Sequence, residues 1–148
     1  MVRPHSCMSR EAALARRQAG VPVPGTAASL APMSFPRPLT DAEMSVAWTI
    51  LSGAGVDELD VLRQQLDVAI ATDRCDCGCP SIGIAIDAER ARPTSYSRRP
   101  VAETPWEHGA IMVWIDDGWL TNLEIYGWDD EPPSDWPDPA TFEEFLRY

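Results

Sequence analysis

The chain has 148 residues, enough for one domain with a modest core and too few for two ordinary domains. All twelve basic residues are Arg, a bias typical of bacteria with GC-rich genomes. Residues 41–148 carry seven Arg and twenty-two acids, a net charge of −15. We therefore expect no direct binding of nucleic acid, because such binding depends on Lys and Arg that displace counterions.

Membrane insertion and secretion are also not expected. No stretch reaches the roughly 18 apolar residues that a membrane span needs. The mildly apolar stretch near the N-terminus is broken by Pro22, Pro24 and Pro32, unlike a signal peptide. Three of the four cysteines lie within residues 75–79, which is not typical of a secreted disulfide framework. These features predict a cytoplasmic protein.

Residues 1–38 mix Arg, Ala, Pro and Ser with little apolar periodicity, which predicts a disordered leader. Met33 lies shortly before the first convincing helix, so translation starting at Met33 is an alternative to a genuine disordered arm. Residues 39–148 are predicted to form a single α+β domain.

Two helices are predicted at the start of this domain. Thr40 and Glu43 have the spacing of a capping box, which predicts a helix over residues 41–51 with Met44, Ala47, Trp48 and Leu51 on its apolar face. Apolar residues at helical spacing predict a second helix over residues 56–71.

The rest of the domain is predicted to contain about three strands and a short helix. Strict alternation predicts a strand over residues 82–86, and the Asp117-Gly118 pair between two alternating runs predicts a hairpin over residues 111–128. The proline-rich residues 88–108 are predicted to be a loop. Asp138 and Pro139 predict a final helix that buries Phe142, Phe145 and Leu146. The predicted fold is a small, mostly antiparallel sheet with helices on one face.

The cluster Cys75, Cys77 and Cys79 is the most unusual local pattern. As zinc ligands these thiols would need a fourth donor, such as His108, and alternate side chains of an extended chain stand roughly 6–7 Å apart. A reactive thiol would need a nearby base or cation, and the neighbouring Asp73 and Asp76 oppose that role. The favoured interpretation is structural: a tight turn from the second helix into the first strand, with buried thiols, no cofactor and no catalytic residue.

The segment Cys75–Ser81 has the pattern C-x-C-G-C-P-S/T. With the strand Ile82–Ile86 and the run Leu123-Glu124-Ile125-Tyr126, it resembles an uncharacterised family of short actinobacterial proteins over about residues 39–139. The resemblance implies a capped helix pair, a strand and a hairpin. It implies no activity.

Five of the six tryptophans lie between residues 106 and 136, among acidic residues. Trp114, Tyr126, Trp128 and Trp136 are candidates for a protein interface, because Trp and Tyr are typical interface anchors. The function predicted best is a non-enzymatic binding or regulatory module with a protein partner, perhaps a basic one. The alternatives are a zinc-binding protein and an immunity-type inhibitor of a basic toxin.

Overall fold

A single antiparallel sheet of seven strands forms the centre of the computed structural model, which describes residues 34–129 and 131–148. The strands lie in the order β1-β2-β3-β6-β5-β4-β7. Their bounds are β1 Arg37–Pro38, β2 Ala69–Arg74, β3 Ile82–Ile86, β4 Arg99–Trp106, β5 Gly109–Asp116, β6 Trp119–Gly127 and β7 Leu146–Arg147. The helices are α1 Asp41–Gly53 and α2 Leu59–Val68, followed by a 3₁₀ turn at Pro139–Thr141.

The prediction of a sheet with about three strands is therefore wrong, although helices and an antiparallel sheet do combine in one domain. The strand at residues 82–86 is confirmed. The hairpin is also confirmed: Asp117 and Gly118 take positive φ angles of 47° and 84° between β5 and β6, as a tight hairpin turn requires.

The capping box of α1 is confirmed. The Glu43 N–H donates to the Thr40 hydroxyl at 3.2 Å, and the Thr40 N–H donates to the Glu43 carboxylate at 2.8 Å. Ala47 is buried as predicted, but Trp48 is only half-buried, because the buried stripe of the helix is centred on Val46 and Ile50.

The second helix is shorter than predicted and ends at Val68 instead of Ala71. Its last predicted turn belongs to β2, where Ala69 and Ala71 pair with Ile86 and Ile84 of β3. Small apolar residues are compatible with a helix or a strand, and the pairing with β3 makes this segment a strand. The cysteines thus lie between two strands, and the predicted turn from a helix into a strand is wrong.

Residues 88–108 are not one loop, since their last part forms β4 between β5 and β7. A strand tolerates proline where no ladder hydrogen bond is needed. Pro100 adjoins a register shift, and β7 pairs with β4 only at Ala102 and Glu103, away from both Pro100 and Pro105. Two of the three prolines that predicted a loop, Pro100 and Pro105, are therefore compatible with the strand.

The predicted C-terminal helix is only one 3₁₀ turn. Asp138 does cap it, because its carboxylate accepts from the Ala140 N–H at 2.9 Å. Phe142 is buried against the core, but Leu146 is exposed on β7. The chain does not continue as a helix, because Leu146 and Arg147 pair with Glu103 and Ala102 of β4.

Both helices pack on the same face of the sheet. Ile50 of α1 and Leu62 of α2 share one core with Ile111, Leu123 and Ile125 of the hairpin. None of the described helices is long and apolar enough to cross a membrane. The predicted leader lies outside the described residues as far as residue 33.

Candidate functional site

The three cysteines lie in the tight loop that joins β2 to β3. The Cys75 N–H donates to the Ser81 carbonyl at 3.0 Å and closes the loop at its base. Gly78 takes a φ of 93°, a left-handed conformation that glycine adopts readily, and this allows the chain to reverse. Cys79 is fully buried in the core, Cys75 is half-buried and Cys77 is exposed.

This loop brings the thiols closer together than an extended chain would. The Sγ atoms of Cys75, Cys77 and Cys79 all lie within 4.8 Å of one another, and those of Cys75 and Cys77 are 3.0 Å apart. The spacing of roughly 6–7 Å expected for an extended segment is wrong here, because the chain turns at Gly78. No disulfide bond joins these three residues.

His108 does not belong to this group of thiols. It lies in the turn between β4 and β5, where its ring packs edge-on against Trp106 with the centroids 5.3 Å apart. Its Nδ1 atom is 3.6 Å from a carboxylate oxygen of Asp129. Within the described part of the chain, the thiol cluster includes no histidine.

The sheet face opposite the helices carries carboxylates among aromatic side chains. Glu103, Met112 and Glu124 stand opposite one another across β4, β5 and β6, and Leu146 of β7 extends this row. We call this surface the aromatic face and define it by the following residues: Glu103, Met112, Trp114, Glu124, Tyr126, Trp128, Leu146 and Tyr148.

Glu103 is the centre of a hydrogen-bond network on the aromatic face. The hydroxyl groups of Tyr126 and Tyr148 donate to its two carboxylate oxygens at 3.3 and 2.5 Å. Burial, together with the negative charge and the hydrogen bond of Glu103, raises the pKa of Tyr126. The hydrogen bond to Glu103, followed by burial, raises the pKa of Tyr148 to about 12.

Three of the four predicted interface residues lie on the aromatic face. Trp114 is opposite Asn122 of β6, and Tyr126 and Trp128 pack edge to face with ring centroids 5.7 Å apart. Trp136 does not lie there. It lines a separate cleft of about 390 Å³ together with Arg37 and Arg74.

Sequence reasoning missed Glu103, Leu146 and Tyr148 of the aromatic face. Both strands that position them, β4 and β7, were predicted to be loop or helix. Alternation along residues 101–104 is not visible in the sequence, since Val101, Ala102, Glu103 and Thr104 are all buried. The residues became neighbours of Tyr126 only through strand pairing.

Comparison with known proteins identifies no relative of this chain. No family model, curated protein or solved structure matches it. The resemblance to the actinobacterial family therefore stays a prediction.

Proposed function

We propose that this protein is a non-enzymatic binding module that holds a basic protein partner on its aromatic face. One observation carries the proposal. The three large hydrophobic side chains that are most exposed among the described residues are Trp128, Leu146 and Tyr148, at 55, 43 and 49%. All three belong to the aromatic face, and exposed apolar groups that gather on one surface are typical of interaction sites.

The local geometry supports binding through this surface. Leu146 and Tyr148 project from the same face of the sheet as Glu103. Arg147, between them, projects from the opposite face and donates to the Gly55 carbonyl at 3.0 Å. Trp128 packs on Tyr126, which itself bonds to Glu103. These contacts hold the exposed side chains in place, so little conformational entropy would be lost on binding.

Charge supports a basic partner. The net charge of −15 over residues 41–148 attracts cationic surfaces over long range. On the aromatic face itself, Glu103 accepts from Tyr126 and Tyr148, and exposed Trp and Tyr rings attract Arg and Lys by cation–π interactions. An inhibitor of a basic toxin is one concrete form of this function, and a cytoplasmic location remains the prediction that accompanies it.

The test uses the full chain and two defined probes, an Arg–Leu repeat peptide and a Glu–Leu repeat peptide of equal length. We expect calorimetry to show binding of the Arg–Leu peptide alone, weakened at least tenfold by the double change Trp128→Ala and Leu146→Ser. Gln64→Ala, an exposed site on α2, is the matched control and should bind normally. Equal binding of both peptides, or normal binding by the double variant, would contradict the proposal.

A further inference from the structure

We infer that Cys75, Cys77 and Cys79 form a binding site for one thiophilic d¹⁰ cation, Zn(II) or Cu(I). The inference does not depend on the proposed function of the aromatic face. It requires three thiolates to act as the protein ligands, with any fourth position filled by water or by a donor from a partner.

The distances between the sulfur atoms fit a single ion. With Zn–S bonds of about 2.3 Å, two thiolates in a tetrahedral shell stand about 3.8 Å apart. The three Sγ atoms lie within 4.8 Å of one another, and the shortest separation, between Cys75 and Cys77, is 3.0 Å. Rotation of the side chains, with changes of about 1 Å, converts this arrangement into a coordination shell without rebuilding the loop.

The loop backbone is already held in the shape that gathers the thiols. Besides the closing bond from Cys75 to Ser81, the Gly78 N–H approaches the Cys75 carbonyl at 3.4 Å. Ser81 fixes the exit of the loop, because its hydroxyl accepts from the Ile125 N–H of β6 at 2.9 Å. A site that is ordered before the ion arrives loses less entropy on binding.

Two groups of the loop stabilise negative charge on sulfur. The Arg74 guanidinium donates to the carbonyls of Cys79 at 3.0 Å and Gly78 at 3.3 Å, which places a positive charge beside the loop. The Cys79 N–H points at the Cys77 Sγ at 3.4 Å. Three thiolates and Zn(II) carry a net charge of −1, which the Arg74 guanidinium offsets in part, since Asp73 and Asp76 add negative charge at the same loop.

The choice of ion follows from the donors. Thiolates select Zn(II) and Cu(I) over hard cations such as Mg²⁺ and Ca²⁺. Because Cys77 is exposed while Cys79 is buried, the ion would lie at the surface with one side open to solvent. Cu(I) is satisfied by three thiolates, whereas Zn(II) would add a water or a donor from a partner.

The experiment loads the reduced, metal-free full chain with Co(II), Zn(II) and Cu(I) in separate titrations. We expect one equivalent to bind, thiolate-to-cobalt charge-transfer absorbance with Co(II), and protection of the three thiols from alkylation as measured by mass spectrometry. Competition with chelators of known affinity in the Zn(II) and Cu(I) titrations decides which ion is preferred.

Cys77→Ser is the decisive variant, because its side chain is exposed and the replacement leaves the packing of the core unchanged. The loss of a partner in the outer coordination shell lowers metal affinity about 10–100-fold. Cys77→Ser removes a direct ligand, so it should lower the affinity for the ion by more than that. Cys7→Ser, outside the described residues, is the matched control and should bind like the unchanged protein. The inference would be overturned by absence of stoichiometric binding in all three titrations, by alkylation that ignores the metal, or by unchanged binding in Cys77→Ser.

Discussion

Gln65 of α2 binds the main chain of Leu120 in β6: the Leu120 N–H donates to the Gln65 Oε1 atom at 2.9 Å. The Gln65 amide nitrogen donates in turn to the carbonyls of Gly118 at 2.8 Å and Arg92 at 2.9 Å. Gln65 is fully buried, and a buried amide is tolerated only when its polar atoms are paired. This side chain therefore joins the second helix to the turn of the hairpin.

Replacing Gln65 with Leu should lower the free energy of unfolding by about 2–4 kcal/mol, because the buried Leu120 N–H and the Arg92 carbonyl lose their partner. The Gly118 carbonyl also accepts from the Thr94 N–H at 2.9 Å, so it keeps a hydrogen-bond partner in the variant. Urea denaturation measures the loss. Gln64→Leu, at the exposed neighbouring position, should change stability by no more than about 0.5 kcal/mol, and equal losses would contradict the role of Gln65.

A second prediction concerns close contact between β5 and β6. A Cβ atom on Gly109 would collide with the carbonyl oxygen of Tyr126 on the neighbouring strand, which cannot move without opening the ladder. Gly109→Ala should therefore cost about 1–3 kcal/mol or more in thermal unfolding. At Gly127, the nearest atom would be the His108 carbonyl oxygen at 3.4 Å, so Gly127→Ala should be clearly milder. A reversed order of the two melting temperatures would refute this reasoning.

The ion pair of Glu43 with Arg37 should make stability depend on pH. Burial by itself raises the pKa of Glu43, but the hydrogen bonds and charge of Arg37, with those from Thr40, outweigh it and hold the pKa below its ordinary 4.5. A lowered pKa stabilises the fold above the unfolded-state value, and this contribution is lost as pH falls through the folded-state value.

The measurement compares the unchanged protein with Glu43→Gln by denaturation at several pH values. At pH 7 we expect a loss of about 2 kcal/mol, since both carboxylate oxygens lie 2.8 Å from the Arg37 guanidinium. The difference should shrink steadily below pH 4.5. Glu89→Gln, at an exposed site, should show no such dependence, and a constant difference for Glu43→Gln down to pH 2 would argue against the linkage.

The network around Glu103 makes a spectroscopic prediction. Because the hydrogen bond to Glu103 is the main cause that raises the pKa of Tyr148 to about 12, Glu103→Gln should move it back toward its ordinary 10.0. A raised tyrosine pKa stabilises the fold below pH 10, and this contribution is lost as pH rises toward 12. Ultraviolet titration of tyrosinate should show the shift in Glu103→Gln and not in Glu107→Gln, which replaces an exposed acid in the turn. Identical titration curves would contradict the network.

Local signals were sufficient for some parts of the fold. The capping box of Thr40 and Glu43 placed the start of α1, since both of its hydrogen bonds lie within three residues. Asp117 and Gly118 placed the hairpin, because a two-residue turn with positive φ requires residues of this kind. In each case the deciding interaction is contained in the segment itself.

Other parts depended on contacts distant in sequence. The prolines at 100 and 105 hid β4, which exists because β5 and β7 pair with it on both sides. The same pairing places Leu146 and Tyr148 on the aromatic face, whereas their local sequence predicted a helix. The burial of Gln65 likewise follows from carbonyls more than twenty-five residues away.

The sequence by itself determined that three thiols stand at alternate positions, that the domain is strongly acidic, and where α1 and the hairpin begin and end within a few residues. The tertiary structure decided that the thiols meet within 4.8 Å and that Glu103 lies beneath two tyrosines. The reason is physical. A turn or a cap is stabilised by bonds between near neighbours, but a ladder or a cluster forms only when distant strands bring their side chains together.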